Sequence, residues 1–505
     1  MAILNISIRR FTHMVTETFR RQLRQESEKW WTEGLINAEL YEKLADRYQF
    51  TALEQDASHR FVAILIGLGA VLLGLGGITF VAANWQDWPR SFKIFLLLTL
   101  FISVNASGFY LWRRPTNRRF QKLGHGLLLL GALLLGANLS LMSQMFHQSG
   151  NFYPLLWVWG LGVVAMAYSL RLTSLGVFAA ILIGWGYGLG WLDWSIGREG
   201  FGWQFFVQHM PLLASVLFIP LADCCQSRVI FALGASLVTG SLVFNLRPLA
   251  GWGYGQLVSP GWLVAIAFVL PPALLWVYSR RLWQVRTHPI DRLPLHPASH
   301  ISHSSFALQP IARRLAIWFL SIVFYVFAFH WLWAISPAIG SSTAEFAYVR
   351  NWQSLVDVTI LGLITIRGWW QLLTQQRFTQ PGSQLANTEL IVSMLMLMAG
   401  TFIWHTEVAA IPEIATFVFN SLLFGLAIVL IRDGLALGTR STFWSGMMLL
   451  VLSIITRMLE YNTGLLLKSI VFALCGFGVI VAGLWFERNL ATAGNRKPGQ
   501  SRPTR

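Results

Sequence analysis

The fold class is decided by residues 61–93, FVAILIGLGAVLLGLGGITFVAANWQDWPRSFK. No charged side chain stands between Arg60 and Asp87. About 20 apolar residues in a helix are long enough to cross the hydrocarbon core of a bilayer. The small residues of the stretch recur at helical spacing, so they share a face against which a second helix can pack closely: Gly67, Ala70, Gly74 and Gly77. The stretch therefore predicts a transmembrane helix.

Composition extends this interpretation to the whole chain. Of the 505 residues, 55% are hydrophobic and only 12% are charged. A soluble protein of this composition would have too few polar side chains to cover its surface. The 24 tryptophans suit the aromatic belts of two membrane interfaces. The net charge of +16 does not indicate a nucleic-acid partner, because the basic residues are spread over loops on one side of the predicted membrane. We expect the lipid bilayer to be the main partner.

Successive apolar windows predict an all-α, polytopic membrane bundle of about fourteen helices. The fifth, sixth and tenth windows are the weakest. The predicted spans are 61–83, 92–112, 125–147, 153–170, 173–191, 206–223, 228–246, 260–278, 313–333, 353–374, 388–405, 412–431, 441–460 and 464–486.

Basic loops predict the orientation. They follow the second span, separate the eighth from the ninth, and follow the last, so counting spans alternately places all of them on the side of the N-terminus. Both termini are therefore expected in the cytoplasm. The first 21 residues lack an uninterrupted apolar core, so we expect no cleaved signal peptide.

Three segments differ from the bundle, which we place at 61–488. Residues 1–60 predict a cytoplasmic helical hairpin, in which Gly34 ends the first helix and Asn37 caps the second. Residues 280–312 form a loop rich in proline and histidine that divides the bundle into eight spans and six. Residues 489–505 form a basic tail that we expect to be disordered.

Four charged residues lie near the outer ends of late spans, namely Asp357, Arg457, Glu460 and Lys468. Each of them needs a partner, water or a functional role at that depth. Arg457 and Glu460 are three apart on one helix and can pair. The four residues can line an outward-facing polar cavity. Alternatively, each reaches the nearby interface or pairs across helices.

Two further groups are predicted on the same outer side. Gln144 and His147 share a helix face and are either cavity-lining groups or interhelical hydrogen-bonding residues. Asn84 and Asp87, in the turn that ends the first span, are expected at the cavity rim.

The sequence gives little support for a metal, a cofactor or an enzyme. The histidines between His288 and His303 lie in a proline-interrupted loop, which favours a solvated linker over a metal site. The three cysteines show neither zinc spacing nor a disulfide framework. No HExxH, GxSxG or P-loop motif is present, which argues against an enzyme without excluding one. We predict no cofactor.

Four stretches resemble the bacterial membrane family called domain of unknown function 2157. They are the hairpin Trp30–Tyr48 with its W-x-x-G-L-I run, GLGGITFVAANWQDWP, LSLMSQMFHQSGNFYPLLWVW and the closing KSIVFALCGFGVIVAGLWFER. The resemblance implies a polytopic bacterial inner-membrane protein with a cytoplasmic N-terminal hairpin. It implies no activity and no catalytic residue.

Three functions remain open at this point. The leading hypothesis is a transporter or flippase-like carrier that takes a polar or amphipathic solute from the outward-facing cavity. Against it, the sequence shows no clear inverted repeat and no pair of broken helices. The second is a membrane scaffold or sensor that binds a protein partner through the N-terminal hairpin. The third is an intramembrane enzyme that acts on a lipid-linked substrate and uses Glu460 or His147 as acid or base.

Overall fold

The structure is a computed structural model. It describes residues 17–48, 83, 87–113, 118–146, 151–195, 202–249, 256–257, 259–279, 308–334, 336–337, 352–375, 388–460 and 464–494. Of the first predicted span, 61–83, the structure describes only residue 83, and of the loop 280–312 it describes only residues 308–312. The chain divides into two compact units, residues 1–100 and 101–505.

Almost every described element is an α-helix. The helices, in chain order, are α1 Glu17–Thr32, α2 Ala38–Tyr48, α3 Arg90–Arg113, α4 Arg118–Met145, α5 Tyr153–Leu170, α6 Thr173–Ser195, α7 Gln204–Gln208, α8 Met210–Cys224, α9 Arg228–Leu246, α10 Gly261–Val277, α11 Gln309–Phe327, α12 His330–Trp333, α13 Trp352–Gln375, α14 Thr388–Ile403, α15 Pro412–Leu437, α16 Arg440–Glu460 and α17 Leu465–Gly494. A π-helical turn, Trp404–Val408, extends α14. Two short strands, β1 Gln256–Leu257 and β2 Ser336–Pro337, pair in parallel.

The chain is a multi-pass, membrane-integral protein. Among the described residues, eleven helices are long and apolar enough to cross a bilayer. Two shorter apolar helices, α8 and α10, coincide with the sixth and eighth predicted spans. The count of fourteen stays a prediction, as do the domain limits at 60 and 488. Helix α17 continues to Gly494, into the segment predicted as tail.

In the first unit, α1 and α2 are joined by a short turn. Gly34, with a φ of +74°, follows α1 in the left-handed region that glycine adopts without a steric penalty. The side chain of Asn37 then accepts a hydrogen bond from the Leu40 N–H at 2.9 Å and so caps α2. Trp31 stacks on Tyr41 with ring centroids 5.4 Å apart, which holds the two helices together. Their cytoplasmic location stays a prediction.

In the second unit, one aromatic cluster packs several late helices together. Phe327 at the end of α11 lies 4.8 Å from Phe402 on α14 and 5.5 Å from Phe419 on α15, between ring centroids. Trp333 on α12 lies 5.6 Å from Phe402 and 5.3 Å from Phe419. Because this cluster fixes the end of α11 against α14 and α15, it positions the site described next.

Several helix termini meet at one end of this unit, which we call the carboxylate end because Asp357, Glu407 and Glu460 all lie there. Glu407 hydrogen-bonds the first residue of α10, and Glu460 hydrogen-bonds the first residue of α12. Trp333 of α12 lies 4.9 Å from His405, between ring centroids, which links those two termini. A series of polar contacts brings Asp357 to the same end. Ser259, just before α10, donates to the carbonyl of Arg247, just after α9, and Asn245 near the end of α9 donates to the carbonyl of Gln208. The next residue, His209, contacts Asp357.

Candidate functional site at a helix break

The ninth predicted span is not a continuous helix. Helix α11 ends at Phe327, and Phe329 adopts an extended conformation, with φ of −78° and ψ of 129°, before the single turn of α12. An extended residue interrupts the ladder of i to i−4 hydrogen bonds, so carbonyl groups at the end of α11 and N–H groups at the start of α12 need other partners. Inside a membrane protein such groups must be satisfied by the protein itself.

Side chains from three places supply those partners. The Phe327 carbonyl accepts from the indole of Trp333 at 2.7 Å. The Ala328 carbonyl accepts from the Asn420 amide at 3.0 Å and from Arg457 Nη1 at 2.5 Å. The break is therefore stabilised by α15 and α16, and it brings Asn420 and Arg457 together at one carbonyl oxygen.

Arg457 and Glu460 complement the two new helix ends electrostatically. Arg457, 8% exposed, stands at the carbonyl end of α11, and Glu460 Oε1 accepts from the His330 N–H of α12 at 2.8 Å. The two side chains also form an ion pair with each other. A cation at a helix C-terminus and an anion at an N-terminus both match the helix dipole. The guanidinium additionally lies 4.4 Å from the centre of the Phe329 ring.

A cavity of about 520 Å³ opens beside this break. Its wall consists of His330, Glu413, Thr416, Phe417, Asn420, Phe424 and Arg457. The five residues from α15 recur at spacings of three and four, so one face of that helix forms most of the wall. The Thr416 hydroxyl donates to the Pro412 carbonyl at 2.8 Å and lies 3.5 Å from His330 Nδ1.

Several donors and acceptors in this wall lack a protein partner. Among the described residues, Arg457 Nε and Nη2 and Asn420 Oδ1 are buried and make no hydrogen bond. A buried polar group without a partner costs roughly 1–3 kcal/mol, and more when it is charged. These atoms are therefore the part of the wall best suited to bind a polar group.

A second polar pair lies at the carboxylate end. Asp357, near the start of α13, is 1% exposed, and its Oδ1 lies 2.7 Å from His209 Nδ1. His209 stands between α7 and α8, where the Phe205 ring lies 4.5 Å from it, between centroids. The pair ties the start of α8 to α13.

A third carboxylate binds a helix start. Glu407 Oε1 accepts from the Gly261 N–H, the first of α10, at 2.7 Å. Its neighbour His405 is 3% exposed, and its Nδ1 accepts from the Ile411 N–H at 3.1 Å. Nδ1 of His405 is thus an acceptor, which leaves the hydrogen on Nε2 in the neutral ring.

The structure shows which partners the charged residues of the predicted cavity have. It brings Arg457 and Glu460 together, whereas Asp357 has its own partner, His209. Lys468 lies partly buried in the first turn of α17, and its ammonium group has no ion-pair partner among the described residues. Whether they act together stays a proposal.

The structure describes two of the four remaining predicted residues. Gln144 is exposed near the end of α4. Asp87 is exposed in the turn before α3, in the first unit. Asn84 and His147 lie outside the described residues.

The polar residues of the wall that the sequence did not single out for the cavity are His330, Glu413, Thr416 and Asn420. Asn420 reads as one more polar residue within an apolar span, and His330 stands where the chain was expected to continue as a helix. One pattern in the sequence does indicate the cavity wall. It places polar and aromatic groups on one helix face, at Glu413, Thr416, Phe417, Asn420 and Phe424. For metals, the described part of the chain contains no cluster of three or more His, Cys, Asp or Glu side chains that could hold an ion.

Comparison with known proteins identifies the N-terminal third of the chain. Residues 28–176 match the family described as predicted membrane protein (DUF2157). The family predicted from the sequence is confirmed over this segment. No curated protein and no solved structure matches the chain.

The DUF2157 match includes three of the four stretches that carry the resemblance, and it ends within α6. The likeness of the closing helices to longer DUF2157 members stays a prediction. The cavity beside the helix break lies beyond the matched segment, so its chemistry rests on its own residues.

Proposed function

We propose that the protein is a membrane carrier, transporter-like or flippase-like, and that the cavity beside the Ala328–Phe329 break binds its solute. The observation that carries this proposal is the break itself. Many carriers bind solute where a helix is discontinuous, because unwound backbone and helix ends there line a cavity. The buried donors of Arg457 and the acceptor of Asn420 supply polar contacts, and Phe417 and Phe424 supply apolar ones.

The contacts of Glu460 favour binding over catalysis. Glu460 Oε1 is occupied by a backbone N–H, and Arg457 pairs with the same carboxylate. A general base needs to reach the proton that it removes, and these contacts hold the Glu460 carboxylate in place. The carrier hypothesis therefore has more support than an enzyme based on Glu460.

The basic loops of the sequence imply that the carboxylate end faces outward. The N-terminal side carries most of the arginine and lysine, and the cavity opens at the opposite end. The test is a pair of fusions after residue 505. Green fluorescent protein should fluoresce there and alkaline phosphatase should be inactive, and the reverse result would place the cavity on the inside.

The carrier proposal is tested by comparing lipids and metabolites between a deletion strain and its complemented derivatives. Wild-type protein and Arg367→Gln, an exposed arginine of α13 outside the cavity wall, should both reverse any accumulation. The double variant Arg457→Gln/Glu460→Gln removes both charges together and should leave the accumulation unchanged while still inserting. Full reversal by the double variant would contradict a role for the cavity.

A scaffold is the second candidate, because the N-terminal helices and the turn between them carry exposed apolar side chains. Trp31 is 49% exposed, Leu35 70% and Leu40 47%. Exposed apolar groups of this size are typical of contact surfaces. If removal of residues 1–55 reproduces the full deletion phenotype while the bundle still inserts, the scaffold explains the protein better than the carrier does.

A further inference from the structure

One edge of the Arg457 guanidinium group makes no hydrogen bond to the described residues. Nη1 binds the Ala328 carbonyl and is the atom that pairs with Glu460, whereas Nε and Nη2 have no hydrogen-bond partner among the described residues. Nε–H and an Nη2–H point in parallel from one edge of the planar guanidinium group. That fork matches the two oxygens of a carboxylate or a phosphate.

The rest of the wall limits what can carry that anionic group. Phe417 is 72% exposed on α15, so this side of the wall faces out of the bundle toward the surroundings of the helix. Phe424 lies two turns further along the same face. A ligand whose anionic group sits on Arg457 can therefore lay an apolar chain along the two phenylalanines.

We propose that the cavity binds the phosphate or carboxylate headgroup of an anionic amphiphile, held on the Nε and Nη2 edge of Arg457. This inference rests on the proposed function, since it names the solute class for the same site. Asn420 belongs to the same wall, and its buried Oδ1, which has no hydrogen-bond partner among the described residues, is an acceptor available to a hydroxyl group of the ligand. Glu413 is exposed in the first turn of α15, and its carboxylate limits how many negative charges the site accepts.

The test is a binding assay on the purified full chain in neutral maltoside micelles, read as a shift of the apparent Tm. The probes are dioleoyl phosphatidic acid and dioleoylglycerol, which differ only in the phosphate, together with inorganic phosphate alone. A ligand that binds the folded state raises Tm with concentration. We expect phosphatidic acid to raise the Tm of the wild type, and dioleoylglycerol and inorganic phosphate to leave it unchanged.

Two variants assign the effect to Arg457. Arg457→Lys keeps the charge but loses the fork, and should weaken binding of phosphatidic acid at least about tenfold. Arg457→Gln/Glu460→Gln, which leaves no unpaired charge, should abolish it. Arg367→Gln should bind like the wild type.

The outcomes separate this inference from the carrier proposal. Equal shifts by phosphatidic acid and dioleoylglycerol, or unchanged binding by Arg457→Lys, would overturn the anionic headgroup. A full shift by inorganic phosphate would overturn the amphiphile. If binding depends on Arg457 but phosphatidic acid does not move across the membrane of proteoliposomes, the ligand class is supported and the carrier is rejected. If only uncharged amphiphiles move, the carrier is supported and the anionic ligand class is rejected.

Discussion

Glu460 accepts a hydrogen bond from the backbone N–H of His330 at 2.8 Å, although the two residues are 130 positions apart. His330 begins a helix of only four residues, so its N–H has no partner within that helix. The contact joins the end of α16 to the break that follows α11. The same carboxylate pairs with Arg457, which holds the other side of the break.

Replacing Glu460 by Ala should destabilise the bundle more than replacing both charged residues. The single change leaves the Arg457 cation buried without its partner, which typically costs about 3–5 kcal/mol. Glu460→Gln keeps an acceptor for the His330 N–H and should cost less than Glu460→Ala. The measurement is the apparent free energy of unfolding in a detergent titration.

The double variant Arg457→Gln/Glu460→Gln is the matched control for this prediction. It removes both charges, so part of the stability lost by Glu460→Ala should return. If Glu460→Ala and the double variant unfold alike, the ion pair contributes little and the break is held mainly by Asn420 and Trp333.

How much of this site the sequence predicts depends on the range of the contacts. The pairing of Arg457 with Glu460 follows from a spacing of three on one helix, and the sequence predicts it. The contacts of Glu460 with His330 and of Arg457 with Ala328 join segments about 130 positions apart, so no local pattern reports them. The break at Phe329 has no local signal either, because neither proline nor glycine stands at it. The sequence therefore predicts one continuous helix there.

The same distinction applies to Asp357. Its position one turn into a span predicts that the carboxylate needs a partner, but not that the partner is His209, which lies 148 positions earlier in a turn between α7 and α8. By contrast, most helix positions follow from runs of apolar residues, which are local. The membrane class was therefore predicted from the sequence, whereas the cavity wall required the packing of α11, α15 and α16.

A double-mutant cycle should show that His209 and Asp357 are coupled. The two side chains meet at 2.7 Å, and Asp357 is almost fully buried. Directly contacting polar pairs show interaction energies of about 0.5–3 kcal/mol, whereas distant sites add independently. We expect His209→Ala and Asp357→Ala each to lower the free energy of unfolding, and the double variant to lose less than their sum.

A cycle between His209 and Glu407 provides the control, because these two residues have different partners. Their effects should add within about 0.5 kcal/mol. Strict additivity of His209→Ala and Asp357→Ala would mean that the contact contributes nothing beyond two separate packing positions.

Two glycines of α15 should respond in opposite ways to an added methyl group. A Cβ on Gly434 would lie 2.5 Å from the Phe443 nitrogen and 2.6 Å from its Cα, and backbone of α16 cannot move aside easily. Gly434→Ala should therefore lower the free energy of unfolding by about 1–3 kcal/mol. Gly425→Ala has no heavy atom within 4 Å and should be neutral or stabilising by up to about 1 kcal/mol.

The comparison is made on apparent Tm in the same detergent. Gly434→Ala should lower it and Gly425→Ala should not. Equal Tm values for the two variants would show that α15 and α16 are less closely packed at Gly434 than the structure has them.

Cys225 should react slowly with maleimide at neutral pH. Burial raises the pKa of its thiol from 9.0 to about 11, and the neighbouring Cys224 adds to the shift. The thiolate is the reactive form, so at pH 7 the thiolate fraction is about a hundredfold below that of a thiol with pKa 9.0. A Cys224→Ser/Cys475→Ser background removes the contribution of Cys224 but keeps the burial, which is the larger cause of the shift. In this background the labelling rate should rise about tenfold per pH unit from pH 7 to 9. The same protein labelled in denaturing SDS sets the rate of an exposed thiol, because unfolding removes the burial that raises the pKa. Rapid labelling of the folded protein at pH 7, close to the SDS rate, would mean that the turn after α8 leaves this thiol open to water.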